Sequence, residues 1–171
     1  MSAHGKPSPD KRPPAPRPAA GSFPWERVAL AARLLVGAVF IFSGLHKLAV
    51  PAEEFGAVLE SYYIVPDSHT MLFAHAVPWA ELLTGVFLAA GLFARAAAAA
   101  AFLMLSTFIL ALVSTKLRGI PLENCGCFGP GFHETRRQAV MLDSFLLLLA
   151  AAAFRHGGRP FSLDNWADSG E

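Results

Sequence analysis

Residues 96–115 read AAAAAAFLMLSTFILALVST, without a charge from end to end. A helix of about 20 apolar residues crosses the roughly 30 Å of bilayer hydrocarbon, so this stretch is long enough to span a membrane. Three further stretches match it, from about Val28 to Leu48, Leu72 to Leu92 and Arg136 to Phe154. In lipid each backbone polar group must be bonded inside the protein, which spans of this length achieve as helices. The sequence therefore predicts an all-α integral membrane protein, a four-helix bundle. Composition agrees: 54% of the 171 residues are hydrophobic and 16% charged, against about 25% charged in a soluble domain. A net charge of +1 gives no reason to expect nucleic acid as a partner. Membrane lipid is the expected surrounding.

Outside the spans the chain changes character. Residues 1–24 are rich in Pro, Lys and Arg without an apolar period and read as a disordered tail. Residues 25–155 form the membrane domain, and 156–171 a short polar tail. A cleavable signal peptide is the rival for the first stretch, with basic residues ahead of it and Val50-Pro51-Ala52 as a loose cleavage site. The run exceeds a usual signal core, however, and three spans follow it. Between spans one and two, Phe55, Val58, Leu59 and Tyr62 recur at helical spacing opposite Glu53, Glu54 and Glu60. That pattern predicts a short interfacial helix ending before Pro66. Spans two and three are joined only by Phe93, Ala94 and Arg95, a tight hairpin. Tyr62, Tyr63 and Trp79 toward one boundary and Trp25 near the other read as interfacial anchors.

Orientation follows the Lys and Arg near the span ends. An inside N-terminus leaves Lys6, Lys11, Arg12, Arg17, Arg27, Arg95, Arg155 and Arg159 in the cytoplasm, against Lys47, Lys116, Arg118, Arg136 and Arg137 outside. Eight against five favours both termini inside and the loop at about 116–135 outside, although that loop is itself basic.

Polar groups within spans are costly unless paired or functional. Glu81 in the second span and Asp143 in the fourth fall roughly 10 to 14 Å below the outer surface at 1.5 Å per residue. Lys47 and His46 end the first span and can snorkel toward that level; Arg33, near its inner end, reads as snorkelling too. Three readings stand for Glu81, Asp143, Lys47 and His46: an ion pair of Glu81 with Lys47 that fixes the bundle, a proton-handling or quinone-contacting group, or an Asp143 that is protonated or, with the span boundary shifted, reaches the outer surface. The glycines Gly37, Gly44, Gly85 and Gly91 read as packing positions.

The loop between spans three and four carries the only two cysteines, in Glu123-Asn-Cys125-Gly-Cys127-Phe-Gly129. Thiols one residue apart close only a small, strained ring, and strained exposed disulfides are the labile, oxidising ones. A disulfide between them constrains almost no chain, so a structural staple explains the pair poorly. Arg118, Arg136 and Arg137 nearby favour the thiolate by charge. A metal reading would recruit Cys125, Cys127, His133 and Glu123, but their spacing matches no common zinc pattern. Thr135 and Gln138 are spaced as a capping box opening the last helix.

From Arg33-Leu-Leu-Val-Gly-Ala-Val-Phe-Ile-Phe-Ser43-Gly44-Leu-His-Lys47-Leu48, through Pro78-Trp-Ala-Glu81-Leu-Leu-Thr-Gly85, to Gly91-Leu-Phe-Ala-Arg95 and Cys125-Gly-Cys127-Phe-Gly129, the chain resembles the MauE/DoxX-type membrane proteins. It is most similar to the MauE branch, since generic DoxX-type proteins usually lack the cysteine motif. The resemblance implies a multi-pass protein of the bacterial inner membrane with a DoxX-like four-helix fold. It implies methylamine utilisation, maturation of a disulfide-rich subunit of methylamine dehydrogenase, and a thioredoxin-like companion of the MauD type. Quinone-coupled disulfide generators of the DsbB and VKOR type use a similar bundle with two cysteine pairs, whereas this chain has one. The expected activity is thiol–disulfide oxidoreduction by Cys125 and Cys127, with a thioredoxin-like protein and quinone as exchange partners. The alternative is a non-catalytic membrane anchor or assembly subunit for a soluble redox enzyme.

Overall fold

A computed structural model describes residues 24–121, 125–126, 128 and 135–156. The tails expected over 1–24 and 156–171 lie, but for Pro24 and His156, outside the described residues, as does the side chain of Trp25. Among the described residues the fold is all helical: α1 (Pro24–Leu48), α2 (Ala52–Ser61), α3 (Asp67–Ala90), α4 (Ala94–Leu117) and α5 (Arg136–His156). Four of these, α1, α3, α4 and α5, are long and apolar enough to cross a membrane.

Apolar side chains point both ways, as a bundle bounded by lipid requires. Val36, Phe40, Leu88, Leu105 and Leu146 are buried together with the small residues Ala97, Ala98, Ala101, Ala150 and Ala153. Leu103, Leu110, Met141 and Leu148 stand on the outside, each about two-thirds exposed. The alanine run of α4 and the alanines of α5 let these two helices lie close.

The helix pair with the most extensive contact is α1 with α3. A Cβ at Gly85 would lie 2.7 Å from the backbone N of Ile41, and one at Gly44 would lie 2.8 Å from Leu82 N and Pro78 O. Only hydrogen fits at these positions, so the two backbones are in direct contact. Close approach of this kind is how helices associate where lipid supplies no hydrophobic drive.

Element boundaries differ from the sequence expectation at two places. The second span begins at Asp67, not Leu72, because Pro66 supplies an extended N-cap (φ −61, ψ 141) and Asp67 opens the first turn. A polar first turn is invisible to a count of apolar residues, yet an acid there is favoured by the helix dipole. The α3–α4 link is Gly91–Phe93 rather than Phe93–Arg95, with both Gly91 (φ 70) and Phe93 (φ 48) left-handed. Gly91 is the C-cap, where the absence of a Cβ removes the strain of that conformation. The predicted interfacial helix is present as α2: Phe55 is buried, while Glu53, Glu54 and Glu60 are exposed.

Candidate functional site

The site lies where the end of α1, all of α2, the middle of α3, the end of α4 and the cysteine loop converge. Its centre is an ion pair. Lys47 Nζ donates to Glu81 Oε1 at 2.6 Å and Oε2 at 2.9 Å. Ser43, one turn before Lys47 and so on the same helical face, accepts from Lys47 Nζ at 3.0 Å and donates to Glu81 Oε2 at 3.0 Å. Lys47 is 2% and Glu81 4% exposed. The ammonium also stands 5.2 Å from the Phe55 ring centroid and 5.4 Å from that of Phe108. These distances are within reach of a cation–π attraction, which gains strength in a desolvated site. Lys47 thus reaches the level of Glu81 and turns inward to meet it. Glu81 stands 14 residues after the first residue of α3, because that helix starts at Asp67.

Asp143, 5% exposed, is brought to the same place from α5. It lines, with Ser43, Glu81, Phe108 and Phe128, a cavity of about 30 Å³. That is room for a water molecule, which needs about 10–15 Å³ and polar partners. Phe128, beyond the second cysteine, also meets Phe42 edge-on at 5.8 Å. His46 is half-buried, its ring 6.2 Å from that of Phe42, on a different face of α1 from Lys47.

The cysteine loop is fastened to α2. Tyr62, the C-cap of α2, is 6% exposed and donates its hydroxyl hydrogen to the Cys125 carbonyl. Gly126 (φ 68) rests so close to Val58 that a Cβ would fall 2.5 Å from Val58 Cγ1. Arg118 donates to the carbonyls of Tyr62 and Tyr63, and Arg136 to that of Ile120 at 2.6 Å. Both guanidinium groups therefore hold backbone, and Arg137 is exposed. Cys125 is 2% exposed and packs with Tyr62, Leu112 and Ala139. Thr135 and Gln138 form the expected capping box: Thr135 N–H donates to Gln138 Oε1 at 3.1 Å, and Gln138 N–H to Thr135 Oγ1 at 3.4 Å.

Glu123, Cys127 and His133 lie outside the described residues. Among the described residues no group of three or more His, Cys, Asp and Glu is placed to hold a metal. Two sequence readings are corrected by burial. Tyr62 is a loop tether rather than an interfacial anchor, whereas Tyr63 and Trp79 are exposed. Arg33 is 4% exposed, with its guanidinium 2.9 Å from where a Gly91 Cβ would be. It is thus set against the C-terminus of α3, where a cation is favoured. The sequence reading gave Ser43, Phe55 and Phe108 no part in the site. Ser43 carried a signal in its spacing of four from Lys47, Phe55 carried one only as part of the apolar face of α2, and Phe108 carried none.

These features define a four-span membrane protein with an ion-paired core beneath a tethered cysteine loop. A family model described as "Methylamine utilisation protein MauE" matches residues 25–155, and the chain belongs to that family. The "Methylamine utilization protein MauE" of Paracoccus denitrificans is 31% identical over 130 residues, covering 76% of this chain and 69% of that protein. Its namesake in Paracoccus versutus is 33% identical over 133 residues, covering 76% and 71%. No solved structure matches the chain.

Proposed function

We propose that this protein is a membrane thiol–disulfide oxidoreductase that supports methylamine utilisation by helping a partner enzyme acquire its disulfides. Cys125 and Cys127 cycle between dithiol and disulfide. A thioredoxin-like protein exchanges with them on the extracytoplasmic side of the inner membrane. The observation that carries this reading is the mounting of Cys125. A hydrogen bond from Tyr62 and a close glycine contact on Val58 hold its backbone at the head of the bundle, whereas a pair of thiols in a plain connecting loop needs no such support.

Exchange proceeds through a mixed disulfide, so one sulfur must be reached by the partner's thiolate. Cys125 is 2% exposed, which favours Cys127 as the sulfur that the partner reaches. Cys125→Ser is therefore expected to trap a mixed disulfide with a thioredoxin-like protein, and Cys127→Ser to trap none. Titration of the wild-type pair by differential alkylation should give a reversible couple above about −300 mV, the level below which structural disulfides lie. Thiols that stay unreacted at every potential would overturn the proposal.

The burial of Cys125 also favours a second reading, in which the loop is a docking element of a non-catalytic anchor for a soluble redox enzyme. The double variant Cys125→Ser/Cys127→Ser separates the two. An anchor keeps both its partner and the partner's activity, whereas an oxidoreductase keeps the partner and loses the activity.

A further inference from the structure

A pocket of about 310 Å³ lies between α2, α3, α4 and the cysteine loop, and Cys125 forms part of its wall. The rest of the wall is almost wholly apolar, with Phe55 and Phe108 at the back and Phe73, Leu103 and Thr107 toward the outside of the bundle. Leu103 is 68% and Phe73 43% exposed on helices long and apolar enough to span a membrane. The mouth of the pocket therefore opens into hydrocarbon, not water.

Resting on the redox reading of Cys125 and Cys127, we infer that this pocket admits a quinone from the bilayer, which oxidises the dithiol. Size, access and chemistry each narrow the occupant. Ligand pockets run from about 300 to 1,000 Å³, so this one takes a single substituted ring and leaves a long tail in the lipid. A nicotinamide or flavin nucleotide carries phosphate, and none of the lining residues is charged. A plain acyl chain fits the surface but accepts no electrons. A quinone satisfies all three conditions.

The reaction balances without help from outside the pair. Two S–H bonds break and one S–S bond forms. The two electrons and two protons pass to the two carbonyl oxygens of the ring, giving the quinol. The thiols release as many protons as the quinone takes up. The Lys47–Glu81 pair, beyond the Phe55 and Phe108 rings, is then not needed as a proton supply.

The test uses the full chain in lipid nanodiscs, reduced and freed of reductant, with oxygen excluded. The probe is a decyl-benzoquinone whose ring is fully substituted, so that thiols cannot add to it. Wild type is expected to convert one quinone to quinol per cysteine pair, with matching loss of alkylatable thiol. Thr107→Phe and Ala111→Phe, which fill the pocket from α4, should slow this about tenfold, equivalent to about 1.4 kcal/mol. Leu110→Phe, on the same helix but outside the pocket, should react at the wild-type rate. Oxidation of both filled variants at the wild-type rate would overturn the inference. So would a wild-type pair that exchanges with thioredoxin yet ignores the quinone, leaving lipid as the occupant. A pair that reacts with neither removes the oxidoreductase reading as well.

Discussion

Lys47, Glu81 and Ser43 place two full charges inside an apolar bundle, where magnitudes decide what their loss means. Removing one member of a buried ion pair strands the other and costs about 3–5 kcal/mol, whereas replacing both by apolar groups is often neutral. Lys47→Met and Glu81→Leu should therefore each lower unfolding stability in detergent by about 3 kcal/mol or more, and the double variant should recover most of that loss. Thiol exchange in the double variant then reads out the role of the pair. Retained exchange means the charges set helix position, and lost exchange in a stable protein means they act on the chemistry. The sequence made this pair visible because Glu81 and Lys47 stand out against hydrocarbon. Its position along α3 was misjudged because the polar start of that helix hid five residues of it. The cation–π contacts with Phe55 and Phe108 were not legible: the period of α2 turned Phe55 inward without saying what it meets, and on α4, apolar all round, nothing tells an inward phenylalanine from a lipid-facing one.

At the scale of elements, the crossing of α1 and α3 sets the geometry on which that pair depends. Gly85 and Gly44 have backbone, not flexible side chain, within 2.8 Å of a built Cβ. Relief must then come from moving one helix against the other, which at ordinary overpacking costs is about 1–3 kcal/mol. Gly85→Ala and Gly44→Ala should lower the unfolding midpoint accordingly. Gly56→Ala in α2 is the contrast, because its nearest neighbour would be 3.7 Å away. It should be neutral or stabilising by about 0.5–1 kcal/mol, the usual gain of alanine over glycine in a helix. The helices themselves were legible from apolar length, α2 from its period and the start of α5 from its capping box. The glycines were legible as packing positions, but which helix each one meets was not. That depends on rotation about the helix axis, and on a helix apolar all round the sequence leaves rotation undetermined.

For the whole molecule, the α2 end of the bundle carries the cysteine loop and the opposite end is closed by Arg33 against Gly91. The eight-to-five balance of Lys and Arg is the ground for expecting both termini in the cytoplasm, and a reporter tests it. Alkaline phosphatase fused after His156 should be inactive, and the same reporter inserted at the exposed turn residue Gly119 should be active. The reverse pattern would place the cysteine loop in the cytoplasm, where thiols are kept reduced, and would remove the environment that the oxidative role needs.

The two buried cations of α1 bear on how the chain is made. Arg33 and Lys47 both lie on α1, which is made before α3, but the groups they rest against belong to α3, Glu81 being 34 residues behind Lys47. At the centre of a lone helix such a charge costs about 2.5–3.5 kcal/mol on insertion scales, a cost that falls on Arg33 within α1 more than on Lys47 in its last turn. The first helix is therefore poorly suited to moving into lipid by itself during synthesis. Its release into the bilayer is therefore expected to await α3, so that the helix pair with the most extensive contact in the finished protein would also be the first to meet.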